Sequence, residues 1–169
     1  MNRQTDFRMR TALVSVAIFL LSGLPLHAQK ADPSGLAKIK TAALVVKATT
    51  SVSCGDGSEG SCVRQDPDVV KKVTDIVDGT ALWQHFEKAD APKADAILEF
   101  TVKNASGTDG TISFSVRAAD NNNFMYQEYR DVVTLENDIA RMVNHFLKAV
   151  EEAKKVTHRA EALSNDLEA

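Results

Sequence analysis

ADAILEFTVK (residues 94–103) and TISFSVRA (residues 111–118) settle the fold class. In the first, Ala96, Leu98, Phe100 and Val102 alternate with Ile97, Glu99, Thr101 and Lys103. In the second, Ile112, Phe114 and Val116 alternate with Ser113, Ser115 and Arg117. Side chains along a strand point to opposite faces in turn, so each stretch reads as a strand with one buried face. NASGTDG (104–110) between them is rich in turn formers and reads as a hairpin loop. DNNN (120–123) is a second turn, and 124–133 a third strand. Three strands joined by short turns predict an antiparallel meander.

Working outward, two helices flank this core. Asp66-Pro67-Asp68 has the composition of a helix start: an N-cap acceptor, a proline at the first helical position, and an acid near the positive helix end. Val69, Val70, Val73, Ile76 and Val77 then recur at helical spacing, and Gly79 stops the helix. After the meander, Thr134 is expected to cap a long helix with Glu136 and Asp138 in its first turn. Leu135, Ile139, Met142, Val143, Phe146, Leu147 and Val150 form its apolar stripe. Upstream, 42–52 (AALVVKATTSV) reads as the first strand, and LWQHF (82–86) as a short second one that would set Trp83 and His85 on one face. The expected architecture is α+β: a two-layer sandwich with two main helices on one face of a mixed or antiparallel sheet of four or five strands.

The first 28 residues carry a different message. Arg3, Arg8 and Arg10 precede an apolar run from Thr11 to Leu26, and Ala28 offers a small residue before Gln29. That order is a secretory signal peptide, 1–28; the run is shorter than a spanning helix needs, so cleavage is expected over a retained anchor. The chain is then divided into a flexible lead-in (29–41), a domain (42–150) and a projecting or frayed helical tail (151–169). Loss of the leader moves the formal charge from −3 to about −5. An acidic chain attracts neither nucleic acid nor anionic lipid, so neither is expected as a partner, and no further membrane span is expected. The expected location is periplasmic or secreted, where Cys54 and Cys62 would pair as a disulfide.

The catalytic inventory is thin. His85, His145 and His158 are the histidines after the leader, and no set of nucleophile, base and orienting group is evident around them; His158 lies in the polar tail. His145 has Arg141 and Lys148 as helical neighbours and reads as solvated. Seven residues between the cysteines fit no common zinc spacing, and GDGSEG (55–60) has acids without the calcium-loop order, so neither metal nor cofactor is expected. Glu99, Glu128 and Asp131 are expected on an outer sheet face, paired with Lys103, Arg117 and Arg130. Candidate contacts are Trp83 and His85 on the short strand, and Val156, Leu163 and Leu167 on the tail.

Residues 81–100 (ALWQHFEKADAPKADAILEF), followed by a meander and a long helix, resemble small bacterial envelope domains of the kind at the N-terminus of TolB and in lipoproteins related to CsgG and LpoB. That resemblance implies a binding or assembly module with no catalytic residues to carry over. The expected function is an exported, non-catalytic module whose partner is a protein or other envelope component. The alternative is a small exported enzyme or ligand binder near Trp83 and His85.

Overall fold

The computed structural model describes residues 33–54, 61–105 and 109–168. The leader, residues 1–28, and the loop 55–60 lie outside them. Among the described residues no helix is long and apolar enough to cross a membrane.

The order is α1 (Pro33–Lys38), β1 (Thr41–Ser53), β2 (Ser61–Gln65), α2 (Pro67–Asp78), α3 (Leu82–His85), β3 (Glu87–Lys88), a 3-10 turn (Ala91–Lys93), β4 (Ala96–Lys103), β5 (Thr111–Ala118), β6 (Phe124–Asp131) and α4 (Leu135–Glu168). The strands form one mixed sheet in the order β2-β1-β4-β5-β6, with β3 also against β1. β1 runs parallel to β4 and β3, and the other pairs are antiparallel. The fold class is thus the expected α+β arrangement. The parallel β1–β4 pair requires a crossover, and α2 supplies it.

Register explains the core. Phe100 sits directly opposite Phe114, Leu98 opposite Val116 and Val102 opposite Ile112, all fully buried. Phe100 and Phe114 stack with centroids 4.3 Å apart, and Phe146 of α4 meets the Phe114 ring edge-on at 5.4 Å. Leu135, Ile139, Met142, Val143, Phe146, Leu147 and Val150 are all buried, as the stripe requires. Asp66 caps α2 by accepting the Val69 N–H at 3.1 Å.

Several expectations are corrected. LWQHF is not a strand. Leu82–His85 is helical, and Leu82 and Phe86 are buried while Gln84 is exposed. A strand would have turned Gln84 inward with them, whereas a helix groups residues four apart. Residues 29–41 are not a free lead-in from Pro33 onward, because Leu36 of α1 and Ile39 just after it are buried. Gly79 ends α2 at φ −81°, so its left-handed freedom is not used. Thr134 is not the acceptor that caps α4; the Asp138 carboxylate reaches back to accept the Val133 and Thr134 N–H groups at 2.9 and 3.0 Å.

The sheet also has more strands than expected, because β2 and β3 add to it. β2 has an exposed Val63 and no burial rhythm, so only pairing with β1 defines it. Cys62 stands opposite Val52 in that hairpin and is bonded to Cys54, with Cα atoms 5.5 Å apart. The bond clasps the loop end of the β1–β2 hairpin. Replacing both cysteines by serine is expected to lower stability by about 2.5 kcal/mol, the loop-closure value for so short a loop, with the fold kept. Urea midpoints of wild type and the double variant check this, and an unchanged midpoint would refute it.

Candidate functional site

The edge of the sheet at β1 is interrupted. β2 covers Thr49–Ser53 and β3 covers Thr41 and Ala42, but residues 43–48 have no strand on that side among the described residues. Backbone bonds show which groups face outward. Thr41 and Thr49 accept from Asp95 and Asn104 on the β4 side, whereas Ala42 and Ala48 accept from Ala89 and Asp66 on the other. Peptide groups alternate along a strand, so Leu44 and Val46 turn both their N–H and C=O groups toward the open side.

A cavity of about 270 Å³ opens at this gap. Leu44 and Val46 line it from the strand, and Val70 and Thr74 from α2. Asp78, Trp83 and Lys88 close one end. The Asp78 carboxylate accepts the Trp83 indole N–H at 3.0 Å and the Lys88 ammonium at 2.7 Å. Lys88 also lies 4.7 Å from the Trp83 ring centre, within cation–π range. Trp83 is therefore held by two contacts at the mouth. His85 is exposed and is not part of the lining, so α3 separates the two residues that alternation had put together. Sequence reasoning missed Asp78, Lys88, Leu44 and Val46. The spacing of Leu82 and Phe86 fits a strand and a helix alike, so it gave no signal that LWQHF would turn Trp83 toward α2.

A second polar cluster lies at the opposite edge of the sheet, on β6. Glu128 accepts from the Tyr126 hydroxyl at 2.8 Å and from Arg130 Nε at 2.6 Å, and His145 Nδ1 of α4 lies 3.2 Å away. Glu128 and Arg130 stand opposite Phe114 and Ile112, so they belong to the helix-covered face. This corrects their expected place on the outer face, and it gives His145 the carboxylate that its own helix lacks. Burial pushes the Glu128 carboxyl up, but hydrogen bonds from Tyr126, Arg130 and His145, with the Arg130 charge, outweigh it and hold it below its ordinary value. Burial also pushes the Tyr126 phenol upward, and the neighbouring Glu128 adds to that. Glu128 is thus already engaged by three partners, and the cluster fastens β6 to α4.

On the outer face, Glu99 pairs with Arg117 at 2.6 Å and Lys47 at 3.0 Å. Asp95 has a structural task. Its carboxylate accepts the Lys40 and Thr41 N–H groups at 2.9 Å each, and these bonds hold its carboxyl below the ordinary value.

α4 continues as one helix beyond the domain stripe. Ala153 is buried, but Val156 and Leu163 are 54% and 65% exposed. The Leu167 side chain lies outside those described. Leu135, Ile139, Met142, Phe146, Ala149, Ala153, Val156, Ala160 and Leu163 recur at alternating spacings of four and three. This is the heptad pattern of a helix–helix seam, which the sheet covers only along its first half.

The fold and its edge groove define a small α+β sandwich with one face of the sheet covered by helices. No family model matches the chain. No curated protein matches it either, so neither comparison supports the kinship with TolB, CsgG or LpoB domains. Among solved structures it is similar to the PelC dodecamer from Paraburkholderia phytofirmans, at 13% identity and TM-score 0.38, over 66% of this chain and 86% of that one. A variant PelC dodecamer gives 10% and 0.35, over 66% and 87%. A Xanthomonas campestris protein of the DUF330 family gives 9% and 0.29, over 76% and 88%. At this level of similarity none of these names transfers to the chain.

Proposed function

We propose that this is an exported, non-catalytic module that binds or assembles with a protein of the periplasm or cell envelope. The observation that carries the reading is the α4 seam. It leaves the core at Ala153 and continues along the helix with Val156 and Leu163 exposed. Apolar residues kept in phase on an exposed helix fit a helix-in-groove contact better than a solvated tail. The leader and the Cys54–Cys62 bond support the exported location. Leu167 extends the same spacing and is included in the proposed surface. The alternative, a small ligand held near Trp83 and His85, draws support from Trp83 alone, since His85 is not in the groove lining.

The test is capture from the organism's own envelope fraction with the mature protein, using wild type and a Val156→Glu/Leu163→Glu variant. Wild type is expected to retain a defined partner, and the variant to lose it while its melting temperature stays unchanged. Equal capture by both proteins would overturn the helix as the contact.

A further inference from the structure

We propose that the gap in the β1 edge is a docking site for a short extended peptide, which adds as a strand beside Leu44 and Val46 and places one uncharged apolar side chain in the cavity next to Trp83. The inference adds a second contact to the proposed protein-binding role, on a surface remote in sequence from the α4 seam.

Three features of the groove fit this occupant together. The first is the backbone. Among the described residues, Leu44 and Val46 offer two N–H donors and two C=O acceptors on the open side, alternating in the way that an extended chain matches. The edge already takes such bonds at both ends of the gap, from Ala89 to Ala42 and from Asp66 to Ala48, each at 3.0 Å. Between them residues 43–47 span about 16 Å at strand rise, room for a strand of about four residues.

The second is the adjoining cavity. Leu44 and Val46 are half-buried and share the helix side of the sheet with Leu98 and Phe100, their register partners on β4. Alternate side chains of an added strand would lie on that same side, against Val70 and Thr74 of α2. The volume of about 270 Å³ accepts a single aliphatic or aromatic side chain. Main-chain bonds along an edge combined with a pocket for an alternate side chain is a recurring mode of peptide recognition.

The third is charge. The carboxylate of Asp78 is matched by Lys88 at 2.7 Å, which leaves the groove end without an unbalanced charge. An acidic or basic side chain would have to displace one member of that pair, whereas an uncharged one leaves it in place.

Trp83 is the sole tryptophan of the chain, so its emission reports directly on the groove. The probe is a set of peptides of about seven residues with Leu, Val or Phe at the centre and Ser or Thr on either side. Matched peptides are N-methylated at alternate backbone positions. Central apolar peptides are expected to bind the full mature protein and shift Trp83 emission. Methylation in one alternate phase is expected to weaken binding about tenfold or more, and in the other phase to leave it unchanged. Thr74→Arg, which fills the mouth from the half-buried Thr74 position of α2, is expected to abolish the emission shift while keeping the melting profile. Val156→Glu/Leu163→Glu is expected to bind the peptides like wild type, which separates this site from the α4 contact. The proposal is overturned if no peptide binds, if both methylation phases behave alike, or if peptides bind without changing Trp83 emission.

Discussion

Phe114→Ala will lower the unfolding free energy by about 3–5 kcal/mol, the range for removing a large aromatic from a close-packed core. Phe114 is fully buried at the crossing point of both layers. Its ring stacks on Phe100 at 4.3 Å, meets Phe146 edge-on at 5.4 Å and lies 5.8 Å from Tyr126. The change therefore removes the transfer energy of the ring and leaves a cavity shared by β4, β6 and α4. Those elements are pinned by many other contacts, so the cavity cannot collapse fully. For a domain of this length the loss corresponds to a fall of about 10–15 °C in melting temperature. Phe114→Leu fills most of the space and should lose less than half as much. Calorimetry on the three proteins decides the point; a loss below about 1 kcal/mol for alanine would mean that Phe114 is not the hub described.

Glu128→Ala will cost about 2–3 kcal/mol near neutral pH. The variant leaves Arg130 Nε and the Tyr126 hydroxyl without their acceptor, in positions only partly reached by water. The cost falls short of that of a wholly buried pair because Arg130 and His145 retain some exposure. The pH dependence has a definite sign. Glu128 in the folded chain lies below its ordinary value of 4.5, so the folded state favours the ionised form. Its contribution is complete above that ordinary value and disappears as pH falls through the lowered folded one. The gap in urea midpoint between wild type and Glu128→Ala should thus be widest near neutral pH and shrink below about pH 4.5. A gap of constant size through the acid range would show that the carboxylate charge is not what holds β6 to α4.

The strands and helices that were legible in sequence are those whose burial repeats locally. Ala96 to Val102 and Ile112 to Val116 alternate, and Leu135 to Val150 recurs at helical spacing, because each element faces a single continuous core. LWQHF misled because Leu82 and Phe86 satisfy either period, and only the exposure of Gln84 separates them. β2 left no trace because it is an exposed edge strand held by β1 and the disulfide. His145 was read as solvated because its carboxylate comes from Glu128, on a different element and 17 residues earlier in the chain.

The amino-acid sequence by itself determined the α+β class, the meander and the two main helices. These follow from composition and short-range periodicity, which act through neighbours along the chain. The tertiary structure alone decided the parallel β1–β4 register, the break in the β1 edge at Leu44 and Val46, the seating of Trp83 between Asp78 and Lys88, and the pairing of Glu128 with His145. Each of these joins residues from separate elements. Their partners are set by how the layers pack, and no local pattern encodes that.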